Sequence, residues 1–254
     1  MKTVKERHNL SSFKEDKEMM NNAYVNGTSA LKEDSKVIEF RVVEQKKQPK
    51  NSNYVANYKV GEKQEVYPFR STEDLQKMNA YFEEKGQERN RMMFVVGINV
   101  GLRAGDLLTL TWDKIMEDGK VGDVVTVKEE KTGKFRTFYF NDSCKTVLTA
   151  YFEKHNPALE SYVFASRKGD YVNVKSAGKI LKTAAKAVGI KYNVGTHSMR
   201  KTFGYHQLKA HNNDAMFVCQ LQEMFGHSSP QITLRYCGLE TEKLQQYYND
   251  INLL

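Results

Sequence analysis

The sequence predicts a mixed α+β fold that is mainly helical and includes one small antiparallel β-hairpin. Helical apolar patterns cover residues 71–100 and return after Asp142, and two short alternating segments lie between them. A chain of 254 residues, 40% of them hydrophobic, can form one large domain or two modest ones with a real core. We therefore expect residues 71–254 to form the principal domain.

Residues 1–70 are interpreted as a separate N-terminal region with a boundary near Arg70. This region is charged, and it contains a predicted helix over residues 13–25 and strand-like segments at 37–43 and 53–58. A basic turn at residues 46–51 separates the two segments. It is interpreted either as a phosphate-contacting loop or as an ordinary solvated loop.

The elements of the principal domain follow in order. A helix is predicted to begin at residues 71–74, which resemble a capping box. A second helix through residues 91–100 is too apolar to be exposed, and Gly101 is suited to end it. Two alternating segments at 123–127 and 135–140 flank Lys131-Thr132-Gly133-Lys134, which predicts a β-hairpin with lysines at its tip.

Composition narrows the classes of function. The net charge of +8 and the pI near 9.1 favour a polyanionic partner, nucleic acid above all, over a merely basic surface. Three cysteines without metal-ligand spacing indicate a reducing compartment. The N-terminus lacks an apolar signal core, and no apolar run approaches the ~18 residues of a membrane span. We expect a cytoplasmic protein that does not associate with a membrane.

Two short segments contain cationic candidates. Arg103 follows the glycine stop and precedes a short apolar helix, where an Arg103–Asp106 ion pair bracing the turn is the alternative interpretation. Thr196 is predicted as an N-cap, which places His197 and Arg200 on one face of the next helix. That face can bind phosphate, or it can hold a buried histidine and an arginine bonded to carbonyl groups.

A third segment places a histidine before a tyrosine. Gly226 is predicted to end one helix, and Ser229 with Pro230 to begin the next. His227 therefore lies in a tight corner, and Tyr236 follows it by nine residues. Among fourteen tyrosines, Tyr236 alone would be assigned to packing.

Together these segments resemble the tyrosine recombinase, or phage integrase, family over roughly residues 70–250. The matching positions occur in the order of the family: Arg103, Lys131, His197, Arg200, His227 and Tyr236. Asp106 replaces the usual glutamate, and Phe225 replaces the leucine before Gly-His. Lys131 is preferred over Lys134 because residues 134–136 match the stretch that follows the catalytic lysine of the family.

The resemblance implies a helical integrase-type catalytic domain that acts as a site-specific DNA recombinase. Tyr236 would attack the DNA phosphate to form a 3′-phosphotyrosine, and Lys131 would protonate the departing 5′-oxygen. His197 would position Arg200 or accept the phenolic proton. The remaining candidates would bind the phosphate: Arg103, Arg200 and His227. No cofactor or metal is implied, and the other histidines are interpreted as structural or surface residues: His8, His155, His206 and His211.

The resemblance also implies partners. These are double-stranded DNA, a homo-tetramer on two DNA sites, and an accessory DNA-bending protein. A C-terminal tail helix over about residues 238–254 would dock on a neighbouring protomer, or alternatively on its own core, through an apolar stripe of Leu244, Tyr247, Tyr248 and Ile251. Residues 1–70 would be a reduced core-binding or arm-type DNA-binding segment. The rival functions are DNA relaxation of the type IB topoisomerase kind and non-catalytic DNA binding on a degenerate integrase fold.

Overall fold

The computed structural model describes residues 65–239 and 247–251, all within one compact unit, Tyr58–Leu254. The helix predicted at residues 13–25, the strands at 37–43 and 53–58 and the basic turn lie outside the described residues. The described elements are α1 (Thr72–Glu84), α2 (Glu88–Val100), α3 (Ala104–Leu108), α4 (Trp112–Ile115), β1 (Met116–Glu117), β2 (Lys120–Val121), β3 (Val124–Lys128), β4 (Phe135–Tyr139), α5 (Asp142–His155), α6 (Val174–Ala187), α7 (Thr196–Ala210), α8 (Ala215–Phe225) and α9 (Pro230–Cys237).

The strands form two small antiparallel sheets, β1 with β2 and β3 with β4. The β3–β4 pair confirms the predicted hairpin, with Val124 opposite Tyr139 and Lys128 opposite Phe135. Along β3 the side chains alternate between buried and exposed, as expected for a strand with one face on a core. The fold class is therefore as predicted: mainly helical with a small hairpin.

Helix α2 lies in the middle of the core, as its apolar sequence predicts. Met92, Phe94 and Val96 are almost completely buried, and α2 packs against α5 and α7. Gly101 ends the helix with φ +60, in the left-handed region that glycine adopts at low cost. Trp112 is fully buried and its ring stacks on that of Tyr151, so it belongs to the same core.

Helix α1 begins as predicted, because the Ser71 hydroxyl accepts a hydrogen bond from the Asp74 amide at 3.1 Å. The prediction of Thr196 as the N-cap of α7 is wrong. Gly195 takes that position, and its amide donates to the Ser198 hydroxyl at 3.1 Å. Thr196 is instead the first helical residue and is buried. His197 and Arg200 still share the first turns of α7.

A second, smaller core joins α7, α8 and α9. Its buried members include Phe203, Leu221, Phe225 and Cys237. Helix α7 approaches α9 closely at Gly204, where an added Cβ would lie 2.5 Å from the Cys237 Sγ and 2.9 Å from the Phe225 ring. This contact determines where α9 lies, and α9 contains Tyr236.

We expect Gly204→Ala to destabilise the protein by about 1–3 kcal/mol, because the new methyl group overpacks the smaller core. Urea denaturation measures the change. The control is Gly178→Ala on α6, where an added Cβ would meet only Thr196 Cγ2 at 3.9 Å; this variant should gain up to about 1 kcal/mol of helix propensity. Adding Cys237→Ala to Gly204→Ala should restore part of the loss. Equal stability of both alanine variants would contradict this prediction.

Candidate active site

Arg200 is the most buried cation of the site, with 3% of the residue exposed. Its Nη1 donates to the Gly101 carbonyl at 2.7 Å and its Nη2 to the Phe225 carbonyl at 2.9 Å. These carbonyls lie at the C-terminal ends of α2 and α8, where backbone acceptors lack helical partners and the helix dipole favours a cation. The guanidinium also lies 4.2 Å from the centre of the Phe225 ring. Two helix ends and an aromatic face thus hold Arg200.

Arg103 lies beside Arg200 and shares an acceptor with it. Its Nη2 donates to the Phe225 carbonyl at 3.3 Å, and its Nη1 forms an ion pair with Glu129 Oε2 at 2.5 Å. An Arg103–Asp106 ion pair, the alternative interpretation of this turn, is not formed. The buried Asp106 carboxylate instead accepts the Glu130 amide at 2.9 Å, because the base of the β3–β4 loop lies closer to it than the arginine does.

Tyr236 reaches the same cluster from α9. Its hydroxyl lies 3.4 Å from His197 Nδ1, and its ring lies 5.7 Å from the Phe225 ring, centre to centre, on which the Arg200 guanidinium also packs. Burial raises the pKa of Tyr236 to about 12, although the charges of Arg200 and Arg103 oppose that shift. The phenol is therefore protonated at neutral pH and needs a base to become a strong nucleophile.

His197 and His227 both have lowered pKa values, which favour the neutral imidazole. Burial lowers the pKa of His197, and the positive charges of Arg200, Lys201 and Lys131 lower it further. His227 Nδ1 lies 3.0 Å from the Thr233 hydroxyl, and the His227 ring is 5.0 Å from the Tyr236 ring, centre to centre. Its pKa is lowered by burial and then by the nearby arginines.

The tight corner predicted around His227 is present. Gly226 ends α8 with φ +62, in the left-handed region. Ser229 caps α9 by accepting the Ile232 amide at 3.3 Å, and Pro230 occupies the first turn. Because the corner is short, α9 turns back and brings Tyr236 towards α7.

Lys131 and Lys134 both lie exposed in the β3–β4 loop. The Lys131 charge is one of those that lower the pKa of His197, whereas that of Lys134 is not among them. Five of the six predicted residues lie around Phe225 or contact one another, and the charge of the sixth, Lys131, acts on His197; the five are Arg103, His197, Arg200, His227 and Tyr236.

Sequence reasoning missed two buried charges of the cluster. Glu129 is 7% exposed and lies between Arg103 and Arg136, whose Nη1 is 3.7 Å from Glu129 Oε1. One signal was available, since Glu129 continues the inward-facing positions Val125 and Val127 of β3. A carboxylate on the buried face of a strand requires a cationic partner. Arg136, on the inward-facing side of β4, is one of the two cationic partners of Glu129.

Two further neighbours of Tyr236 were also missed. Lys201 Nζ lies 5.3 Å from the centre of the Tyr236 ring and 3.1 Å from the Glu65 carboxylate. Thr233 is the hydrogen-bond partner of His227 and is fully buried. Neither residue differs in the sequence from an ordinary helical lysine or threonine, so no local signal points to it.

The remaining described histidines have contacts outside the cluster. His155 pairs with Glu88, His206 lies 2.9 Å from the Phe69 carbonyl, and His211 stacks on Phe217. Within residues 65–239 and 247–251, no three or more His, Cys, Asp or Glu side chains are grouped as metal ligands. In the same ranges no helix is long and apolar enough to cross a bilayer.

The two histidines predict a pH dependence of stability. Both have a folded-state pKa below the ordinary 6.5, so the unfolded chain binds more protons as the pH falls through that value. The free energy of unfolding should therefore be highest above about pH 7 and should decrease between about pH 7 and 5.5. Urea denaturation over this range should show a smaller decrease for the double variant His197→Asn/His227→Asn. An unchanged decrease would refute the assignment to these two groups.

Because the cations and the tyrosine come from one mainly helical domain with a small hairpin, the fold and the site together define the class of integrase catalytic domains. Residues 69–243 match the model of the phage integrase family, and the chain belongs to that family. The predicted membership of this family is thereby confirmed.

Individual relatives support the same assignment. The chain is 34% identical over 186 residues to YoeC, a probable integrase/recombinase of Bacillus subtilis. This match covers 72% of this chain and 95% of YoeC. It is 27% identical to tyrosine recombinase XerC of Leptospira interrogans over 76% of this chain, but this match spans only 57% of XerC. The crystal structure of XerH site-specific recombinase bound to its difH substrate shares the fold, with a TM-score of 0.57 at 19% identity over 74% of this chain and 53% of XerH.

Proposed function

We propose that this protein is a site-specific recombinase that cuts and rejoins double-stranded DNA through a 3′-phosphotyrosine intermediate. The observation that carries the proposal is the position of the Tyr236 hydroxyl, 3.4 Å from His197 Nδ1, where the charges of Arg200 and Arg103 act on it. Its relatives support the activity, since XerC is named a tyrosine recombinase, and structures that share the fold include XerH site-specific recombinase bound to a difH substrate and the Tn1549 transposon integrase in complex with transposon right end DNA. The net charge of +8 suits a polyanionic partner.

In the proposed reaction, the Tyr236 oxygen attacks the scissile phosphorus and its proton passes to His197. The lowered pKa of His197 supports this role, because a neutral imidazole can accept a proton at pH 7. The bond from phosphorus to the 5′-oxygen breaks, and a 5′-hydroxyl leaves. Rejoining reverses these steps with a 5′-hydroxyl as the nucleophile, so the phosphodiester energy is kept in the protein–DNA bond.

The negative charge that develops on the non-bridging oxygens requires fixed donors. Arg103 and Arg200 supply planar guanidinium groups that remain protonated and can bind phosphate through two bonds. Both are already held by the Phe225 carbonyl, so little reorganisation is needed when the phosphate binds. His227, whose Nδ1 contacts the Thr233 hydroxyl, would donate a further hydrogen bond to the phosphate from Nε2.

Lys131 is proposed as the general acid that protonates the departing 5′-oxygen. Its charge acts on His197, which supports Lys131 over Lys134. We expect Lys131→Met to slow cleavage by about 10²–10³-fold. The matched variant Lys134→Met should lose less than about tenfold, as expected for an exposed contact. Cleavage rates on one substrate decide between them, and the opposite order would assign the role to Lys134.

The roles of the two regions and the oligomeric state are also proposed from the resemblance to the family. Residues 1–70 would form the reduced core-binding or arm-type segment, and residues 71–254 the catalytic domain. Most of the tail, 238–254, lies outside the described residues, but Tyr247, Tyr248 and Ile251 are more than 60% exposed. Such an apolar set suits docking on a neighbouring protomer in a homo-tetramer on two DNA sites, with an accessory DNA-bending protein as a further partner.

The proposal is tested by trapping the covalent intermediate. Nicked duplexes that carry the sequences flanking the gene lose the 5′-hydroxyl strand after cleavage and so cannot be religated. The wild-type protein should form a denaturation-resistant adduct, and peptide mapping should place the nucleotide on Tyr236. An adduct on another residue would refute the assignment of the nucleophile. Relaxation of a supercoiled plasmid without any sequence requirement would favour a topoisomerase instead.

A further inference from the structure

Glu129 is a buried carboxylate that the mechanism above does not use. It follows β3 directly, with 7% of the residue exposed. One carboxylate oxygen, Oε2, lies 2.5 Å from Arg103 Nη1, and the other, Oε1, lies 3.7 Å from Arg136 Nη1. Glu129 thus bridges one arginine of the candidate active site and one arginine of the hairpin.

The same residue also closes the loop that contains Lys131. The Thr132 hydroxyl donates to Glu129 Oε2 at 2.7 Å. The Glu129 amide donates to the Lys134 carbonyl, and the Glu129 carbonyl accepts from the Gly133 amide, both at 2.9 Å. Lys131 is therefore presented by a short loop whose two sides are joined through Glu129.

The energetics explain why this carboxylate is held so firmly. A buried carboxylate costs several kcal/mol unless it is paired and hydrogen-bonded. Here the pKa of Glu129 is lowered despite its burial, through Arg103, Thr132 and Arg136. Conversely, Arg103 and Arg136 repel Arg200, and Glu129 offsets part of that repulsion. Moving the carboxylate would disturb both the guanidinium cluster and the loop.

We propose that Glu129 is a positioning residue that holds the Lys131 loop in a fixed relation to the Arg103 guanidinium, so that proton donor and phosphate-binding group act on the same phosphate. This inference rests on the proposed function, since it assigns a role within that reaction. It predicts that loss of the Glu129 charge impairs proton delivery more than nucleophilic attack.

The test compares two leaving groups on one DNA site. In the first substrate the scissile 5′-atom is oxygen, which needs a proton to depart. In the second it is sulfur, which departs as a thiolate without one, because a thiol pKa of about 8.5 is far below that of an alcohol. Glu129→Gln should slow cleavage of the oxygen substrate by about 10²-fold and that of the sulfur substrate by less than about tenfold.

Two further variants show whether a slower cleavage comes from a displaced Lys131 or from a damaged fold. Thr132→Val removes only a hydroxyl from an exposed loop residue, and it should give a smaller loss, up to about tenfold, again confined to the oxygen substrate. Glu130→Gln changes the neighbouring exposed carboxylate, and it should cleave both substrates at the wild-type rate. Urea denaturation of each variant measures any loss of fold.

The outcomes distinguish this inference from the proposed function. Selective loss on the oxygen substrate for Glu129→Gln and Thr132→Val supports positioning of Lys131. Equal losses on both substrates, or wild-type rates on both, overturn it while the proposed function stands. If the wild-type protein forms no adduct with either substrate, the proposed function itself fails.

Discussion

Replacing Tyr236 by phenylalanine will abolish the covalent protein–DNA adduct and leave the fold intact. The ring of Tyr236 packs against Phe225 and His227, with centroid distances of 5.7 and 5.0 Å, and phenylalanine retains both contacts. Only the hydroxyl is lost, and with it the nucleophile. The cleavage rate should fall by at least about 10⁴-fold, as expected when a nucleophile is removed.

Adduct formation on the nicked substrate measures this effect, and a gel-shift titration shows whether DNA binding remains. The matched control is Tyr171→Phe, which removes a hydroxyl from a ring that packs edge-on against Tyr162, and it should form adduct at the wild-type rate. DNA affinity of Tyr236→Phe should be unchanged, because the phosphate-binding cations remain. An adduct in Tyr236→Phe would show that another residue attacks the DNA.

The second large effect is expected at Arg200. Arg200→Ala removes a phosphate-binding guanidinium, which should slow cleavage by about 10²–10³-fold or more. It also removes the main donor to the Gly101 and Phe225 carbonyls. Weaker donors remain, Arg136 to Gly101 at 3.4 Å and Arg103 to Phe225 at 3.3 Å. The stability loss should therefore be modest, about 1–3 kcal/mol.

Arg200→Lys separates charge from shape. An ammonium keeps the positive charge but cannot bond two carbonyls and a phosphate through one planar group, so most of the rate loss should persist. The control is Arg91→Ala, which breaks an ion pair with Glu83 at 3.5 Å and a hydrogen bond from Arg91 Nε to Asn79 Oδ1 at 2.9 Å, both away from the site. It should lower stability by about 0.5–1.5 kcal/mol and leave cleavage unaffected. Near wild-type cleavage by Arg200→Ala would exclude Arg200 from the site.

Local features of the sequence predicted most element boundaries correctly. Ser71, Gly101, Gly226 and Ser229 all begin or end helices where expected. Each acts through backbone groups within four residues, so its effect depends little on the rest of the fold. The cap of α7 was the exception. At that position Ser198 accepts the Gly195 amide, and the helix begins at Thr196 itself, one residue earlier than predicted.

The six site residues were predicted from their order along the chain, not from contacts. Their convergence depends on distant packing: Arg200 joins the ends of α2 and α8, and Gly204 allows α9 to approach α7. Nothing in residues 196–206 alone distinguishes a phosphate-binding arginine from one bonded to carbonyls. In the structure Arg200 is bonded to carbonyls, and these bonds place its guanidinium beside the tyrosine.

The sequence by itself determined the helical character, the hairpin and the types of side chain available for the chemistry, because periodicity and capping act over a few residues. Only the tertiary structure decided which carboxylate neutralises Arg103. Asp106 is nearer in the sequence, yet Glu129 forms the ion pair, because the hairpin folds its base against the arginine. A buried charge pairs with whichever opposite charge the packing brings within reach, and that distance is a property of the assembled domain.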